Sequence, residues 1–118
     1  MSTENSAIRL KHKTRDLLSA VKSDNIHHGY LLKTYLNPYI KDLENFGKEN
    51  TSDPSLRDLQ EVLKGPLQRL RELRDQYRKD VVFYLETRDP ARGESMHKTR
   101  PTIQKKIEGI LNILGYFI

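Results

Sequence analysis

The four histidines are the side chains best suited to metal binding or proton transfer, but their spacing favours neither. His27 and His28 are adjacent, so on a helix they would point about 100° apart and would share one metal ion poorly. No glutamate follows either of them at the His-x-x-x-Glu spacing of a zinc site. We therefore expect no metal or cofactor, and interpret as surface or turn residues His12, His27, His28 and His97.

Nucleophilic catalysis finds equally little support in the sequence. There is no cysteine, no nucleophile elbow and no glycine-rich phosphate loop. Serines near predicted helix ends are explained by capping; these are Ser19, Ser23, Ser52, Ser55 and Ser95. We therefore predict that the protein is not an enzyme.

The densest group of charges is "RLRELRDQYRKD", residues 69–80. Arg71 with Asp75, and Asp75 with Lys79, have the i,i+4 spacing of helical ion pairs, which is typical of a solvated helix face. The same residues could instead form a docking surface, because arginine forks suit carboxylate-rich partners. The candidate partner-binding residues are Arg69, Arg71, Arg74, Arg78 and Lys79.

The overall charge is consistent with an acidic protein partner. The formal net charge is +5, from 21 Lys and Arg against 16 Asp and Glu. This excess is modest and no basic patch is interleaved with aromatic residues, so nucleic acid is not the favoured partner. No run of about 18 apolar residues is present, so we expect no membrane-spanning helix.

Apolar residues recur at helical spacing in four segments. The helices that these segments predict must position the candidate partner-binding residues. The segments span about residues 4–24, 30–46, 54–87 and 99–114, with Asp53 and Thr99 as N-caps of the third and fourth. They predict a single all-α domain, residues 1–118, folded as an up-down four-helix bundle with a long third helix. The far end of the third helix, Asp80 to Glu86, is a candidate for projection, and room is left for an extra short element near residues 88–98.

Two prolines interrupt these stripes, Pro38 in "YLNPYIKDL" and Pro66 in "VLKGPLQRL". The apolar register continues through both, which favours a kink over a helix stop, although a restart at each proline is the alternative. The predicted core is the set of inward-facing residues Leu18, Val21, Leu32, Leu36, Ile40, Leu43, Leu59, Leu63, Leu67, Leu70, Ile103, Ile107, Ile110 and Leu114.

The order of these features resembles the PsbQ-like extrinsic subunits of photosystem II. "LLSAVKSDNIHHGYLLKTYLNPYIKDL" is similar to that family's first-helix end, polar turn and second helix, with Pro38, Ile40 and Leu43 at its internal proline step. "SDPSLRDLQEVL" looks like the start of its third helix and "PTIQKKIEGILNILG" like its closing helix. The resemblance covers about residues 7–115 and, as a pattern without a diagnostic motif, carries over no docking residues.

That resemblance implies a small four-helix subunit of the chloroplast thylakoid lumen. Its implied role is to dock on the lumenal face of photosystem II, peripheral to the membrane, and to support oxygen evolution by calcium and chloride retention at the manganese cluster. A lumenal protein needs a leader, so this reading expects one to have preceded Met1; without it a cytoplasmic location is expected.

Two alternatives stay open. Residues 58–111 resemble a BAG domain, a module that releases nucleotide from Hsp70-type chaperones, with Glu86 and Arg100 at contact positions. The third reading is a nucleic-acid-binding bundle that uses Arg69, Arg71, Arg74 and Arg78.

Overall fold

The chain folds into four helices, and residues 3–118, which a computed structural model describes, contain no strand. Met1, the residue that the expected leader would precede, lies outside this range. Helix α1 is Thr3–Lys22, α2 covers residues 28–48, α3 is Pro54–Thr87 and α4 is Pro90–Phe117. The predicted all-α fold with a long third helix is confirmed.

Contacts between successive helices show the up-down order. Lys13 of α1 forms an ion pair with Asp42 of α2 at 2.9 Å. The start of α2 reaches the far half of α3, where His28 bonds Tyr77, whereas the end of α2 lies beside the start of α3. There Gln60 donates from Nε2 to the carbonyls of Phe46 and Glu49, at 3.0 and 2.8 Å. Gln60 thereby satisfies the Glu49 carbonyl and adds a second donor to the Phe46 carbonyl, which also accepts from the Glu49 N–H.

Helix α2 passes through Pro38 without a break, because the turn before it is wider than an α-turn. Its parts are an α-helical turn at His28–Tyr30, a π-helix at Leu31–Leu36 and an α-helix at Asn37–Lys48. The Asn37 N–H donates to the Leu32 carbonyl, five residues back. The wide turn gives room to a proline ring that would crowd a regular α-turn. The second helix therefore neither stops nor restarts at Pro38.

Helix α3 begins where the sequence predicts. Asp53 is its N-cap and accepts a hydrogen bond from the Ser55 N–H at 2.9 Å, while Pro54 occupies the first turn. The helix continues through Pro66 and has 34 residues in all. At about 1.5 Å per residue it is about 51 Å long, which matches the 50 Å long axis of the molecule.

The fourth helix begins earlier than predicted. Thr99 is not its N-cap and Pro101 lies inside it; the helix starts at Pro90 and is capped by Asp89, which accepts from the Ala91 N–H at 3.0 Å. Residues 90–98 thus belong to α4 instead of forming a separate element. Only Arg88 and Asp89 separate α3 from α4, and Arg88 makes the reversal with a left-handed φ of 57°.

The α3–α4 pair is longer than the α1–α2 pair and extends past it. Helix α1 has 20 residues and is about 30 Å long. Its C-terminus meets Arg100 and the start of α2 meets Tyr77, so the bundle of four ends at that level. Beyond these two contacts lie residues 78–99, a two-helix extension of about 15 Å that we call the projecting hairpin. The α1–α2 loop lies beside its inner side, at Tyr84 and Gly93.

The core runs along the inner faces of all four helices. All the predicted core residues are buried except Leu18 and Leu67, which are half-buried at the edge of the core. Leu67 lies at the edge of the face defined by Leu63 and Leu70, because at about 100° per residue it is turned about 40° from Leu63 and about 60° from Leu70. The buried set also includes Ala7, Leu10, Leu17, Ala20, Leu31, Tyr39, Phe46, Leu73, Tyr77, Val81 and Met96.

Two leucines one turn apart on α3 provide a test of this core. Leu70→Ala should lower the free energy of unfolding by about 2–5 kcal/mol, because Leu70 is completely buried and its loss leaves a cavity. Leu67→Ala should cost clearly less, since part of its side chain already contacts solvent. Urea denaturation of both variants measures the difference; equal losses would show that the inner face of α3 has been misassigned.

Candidate functional site

The five candidate partner-binding residues on α3 divide into two groups. Arg71 and Arg74 turn toward α2: Arg71 Nε lies 3.3 Å from Glu44 Oε1, and Arg74 Nη1 donates to Asn37 Oδ1 at 3.1 Å. Each also has a contact on its own helix, Arg71 with Gln68 at 3.4 Å and Arg74 with Asp75 at 2.8 Å, and the expected pair of Arg71 with Asp75 is not made.

The remaining three candidates face solvent. Arg69 pairs with Glu72 one turn away at 3.3 Å. Arg78 and Lys79 are exposed and form no ion pair with any residue in 3–118, so the predicted Lys79–Asp75 pair is not made; Asp75 pairs with Arg74 at 2.8 Å. Of the predicted surface, Arg78 and Lys79 are therefore the cations free to meet a partner.

Arg78 and Lys79 line a shallow groove on the outer side of the projecting hairpin. The groove has a volume of about 440 Å³. We call it the outer groove; its lining residues are Arg78, Lys79, Val82, Phe83 and Glu86 of α3 and Arg92 of α4. Val82 and Phe83 are large apolar side chains that remain 46% and 40% exposed.

Arg92 links the outer groove to the interior of the hairpin. Its guanidinium carbon lies 4.7 Å from the centre of the Phe83 ring, a cation–π contact. Its Nη1 donates to Asp80 Oδ1 at 3.1 Å. The Phe83 ring is therefore backed by a cation that is itself fixed to the core of the hairpin.

Asp80 is the buried carboxylate that joins α3 to α4. It is 0% exposed, and it accepts hydrogen bonds from Gln76 at 3.1–3.2 Å, from Arg92 and from the Ser95 hydroxyl. Burial opposes ionisation, but these donors together outweigh it and hold the pKa of Asp80 below its usual value. Asp80 thus remains a carboxylate, as three convergent donors require.

A second hydrogen-bond network closes the bundle at the base of the hairpin. Arg100 of α4 donates to the carbonyls of Val21 (2.9 Å), Ile26 (2.8 Å), Ala20 (3.2 Å) and Ser23 (2.8 Å). These are carbonyls at and just after the end of α1, where helical partners are lacking and positive charge is favoured. The residue that the BAG resemblance makes a chaperone contact is here engaged inside the molecule.

Two of the histidines meet in a pocket beside Arg100, between the α1–α2 loop and the inner side of the hairpin. The pocket has a volume of about 390 Å³. The His28 ring contacts the His97 ring edge to face at 5.0 Å, and His28 Nδ1 shares a hydrogen bond with the Tyr77 hydroxyl. Residues 3–118 contain no cluster of three or more His, Asp or Glu side chains that could hold a metal ion.

The environment of this pocket keeps His28 neutral. Burial, together with the nearby charge of Arg100 and the neighbouring His97 and His27, lowers the pKa of His28 to about 4. Burial raises the pKa of Tyr77 to about 12, although Arg100 acts in the opposite direction. Within residues 3–118 every buried side-chain nitrogen or oxygen has a hydrogen-bond partner, so these polar groups are explained by the fold.

Sequence reasoning did not find Asp80, Arg92 or Phe83 as parts of the surface. Asp80 is bonded by Arg92 and Ser95 of the "PARGES" stretch. These contacts could be predicted only if α4 were known to begin at Pro90 and to pack against α3. Phe83 and Val82 could have been noticed as apolar residues off the inward face of α3, in the same turns as Arg78 and Lys79.

Comparison with known proteins gives no relative: no protein family, curated protein or solved structure matches the chain. None of the helices within residues 3–118 combines the length and apolarity that crossing a bilayer requires.

The lowered pKa of His28 makes the stability depend on pH. Between pH 6.5, where an unfolded histidine takes up its proton, and about pH 4, where folded His28 does, the unfolded state binds more protons. The free energy of unfolding should therefore fall as the pH is lowered through this window. The variant His28→Gln should lose part of that slope in urea denaturation at pH 7 and pH 5.

His12→Gln is the control, because His12 is exposed on α1 away from the pocket. It should keep the slope of the wild-type protein. If the His28 variant keeps the full slope too, His28 is not the group that senses pH.

Asp80→Asn tests the joint between α3 and α4. The new amide group places donor hydrogens where Gln76, Arg92 and Ser95 already donate, so the free energy of unfolding should fall by about 1–3 kcal/mol. Asp75→Asn removes an exposed carboxylate from the same helix, 61% exposed and paired with Arg74, and should cost about 0–1 kcal/mol. Urea denaturation measures both losses. If the free energy of unfolding falls equally in the two variants, the buried network of Asp80 does not stabilise the joint between α3 and α4.

Proposed function

We propose that the protein is a non-enzymatic docking subunit that binds an acidic surface of a larger protein assembly through its projecting hairpin. The observation behind the proposal is the outer groove, where exposed apolar side chains lie beside cations that no described residue neutralises. Such a combination is typical of interaction surfaces, because apolar contact provides affinity and charge provides orientation and a fast encounter.

The shape of the molecule supports the same proposal. The base of the hairpin is held by Arg100 and its two helices are joined by Asp80, so the groove lies on a rigid extension. A rigid surface loses little conformational freedom on binding, and more of the contact energy then contributes to affinity. The outer groove is lined by α3 and α4 alone, whereas the α1–α2 loop lies beside the inner side of the hairpin, so a large partner can approach the groove from outside the bundle.

Docking on photosystem II is the most specific form of this proposal and rests on the resemblance alone. It places the protein at the lumenal face, outside the bilayer, with a role in oxygen evolution. The structural part of the proposal, an acidic partner surface met by the hairpin, does not depend on which assembly supplies that surface.

Rebinding to salt-washed photosystem II tests both parts. The double variant Arg78→Glu/Lys79→Glu should bind at least tenfold more weakly than the wild-type protein, a change of about 1.4 kcal/mol. Binding of the wild-type protein should weaken as salt rises, since exposed charges are screened beyond about 8–10 Å at physiological ionic strength.

Arg57→Glu/Lys64→Glu is the matched control, because it changes the net charge equally at exposed positions near the other end of α3. It should bind like the wild-type protein. If the wild-type protein fails to bind at low salt, docking on photosystem II is wrong. If it binds and both double variants bind equally well, the hairpin is not the docking surface.

A further inference from the structure

The outer groove follows the axis of α3, and this direction limits what can fill it. Arg78, Val82 and Glu86 form one row at i, i+4 and i+8, and Lys79 with Phe83 forms a second row beside it. Eight residues of helix make the rows about 12 Å long, or about two turns. Rows of this spacing are the ridges and grooves into which the side chains of another helix fit.

The apolar part of the groove is a small anchor site. Val82 and Phe83 are adjacent and each leaves close to half of its side chain in solvent. The Phe83 ring is supported on one side by Arg92, which Asp80 holds in place. A partner that covers the two side chains would gain apolar burial without first having to order them.

The charges around this anchor select the partner. Arg92 is already paired with Asp80. The lining charges that form no ion pair within residues 3–118 are therefore the two cations Arg78 and Lys79 and the acidic Glu86. Two copies of this chain that met groove to groove would bring like charges together, which disfavours self-association. Carboxylates that flank an apolar stripe would instead face Arg78 and Lys79.

We propose that the outer groove binds one amphipathic helix of an acidic protein partner, with its apolar stripe on Val82 and Phe83 and its carboxylates toward Arg78 and Lys79. This inference rests on the proposed docking function and specifies its occupant. Other peptide modes fit less well. Residues 3–118 offer no sheet edge for an added strand, and one aromatic ring is too little for a proline-rich ligand, which needs an aromatic-lined groove.

A designed peptide tests the occupant directly. The probe is a fluorescently labelled helix of about 18 residues, with leucines at i, i+3, i+4 and i+7 and glutamates beside them. A scrambled peptide of the same composition lacks the stripe, and a third peptide carries lysine for glutamate. We expect the intact protein to raise the fluorescence anisotropy of the first peptide alone, with binding that weakens as salt increases.

Two valines of α3 form a matched pair of variants. Val82 lies in the groove and Val62 near the start of the helix, and both are 46% exposed. Val82→Glu should weaken binding of the acidic peptide at least tenfold, whereas Val62→Glu should leave it unchanged. Circular dichroism confirms that both variants keep their helix content.

Three results would overturn the proposal. Equal binding of the scrambled peptide would reduce the groove to a general site for acidic chains. Binding to vesicles that contain phosphatidylserine, with no binding of the peptide, would assign the groove to a lipid surface. Concentration-dependent dimerisation that Val82→Glu abolishes would assign it to a second copy of the chain.

The experiments distinguish an error in the proposed helical occupant from an error in the proposed docking function. If charge reversal at Arg78 and Lys79 abolishes binding to a whole assembly while the peptide never binds, the docking surface is right and its occupant is not a single helix. If the peptide binds the groove but the protein does not rebind to photosystem II, the groove does bind an amphipathic helix, and photosystem II is not the assembly that supplies it.

Discussion

The arrangement of the bundle depends on the contact between Arg100 and the end of α1. One guanidinium group satisfies four carbonyls on a helix terminus and the loop that follows it. This contact fixes the level at which α1 ends against α4. Because α1 and α2 end there while α3 and α4 continue, the same contact determines how much of the hairpin projects. A basic residue that looked available for a partner therefore shapes the surface that a partner would meet.

The second constraint is the buried carboxylate of Asp80. A charge without solvent contact is costly unless donors surround it, and here the donors come from both helices of the hairpin. The network therefore ties the two helices beyond the point where α1 and α2 support them. Arg92 belongs to this network and also backs the Phe83 ring. Stability of the hairpin and presentation of its outer groove are consequently linked through one side chain.

Much of the fold could be predicted from periodicity and capping. Four stripes predicted four helices, and Asp53 with Pro54 predicted the first residue of α3. The same Asp-Pro signal at Asp89 and Pro90 also starts a helix, whereas the apolar periodicity indicates a start only at Thr99. Local signals of equal strength thus gave opposite results, since a proline can either end a helix or occupy its first turn.

The candidate surface was predictable only in part. Helical spacing places five cations on α3, but it does not say which of them α2 will engage. Glu44 and Asn37 hold Arg71 and Arg74, and this depends on a tertiary contact between residues about 27 and 37 positions apart. Arg78 and Lys79 have no such partner on α2 and stay exposed. Which cations are engaged therefore depends on how α2 packs against α3, and no single segment of sequence contains that information.

The π-helical turn at Leu31–Leu36 has a consequence for how α2 is aligned. Compared with a regular helix, a π-turn holds one more residue, so it changes the rotational phase between the two parts of α2 by about 100°. Both parts contact α3: His28 before the turn bonds Tyr77, and Asn37 after it accepts from Arg74. In a regular α-helix the nine positions from His28 to Asn37 would place the two side chains about 180° apart, whereas the π-turn reduces this to about 80°, so both can face α3. The wide turn thus rotates the second part of α2 about the helix axis, so that one helix makes two separate side-chain contacts with its neighbour.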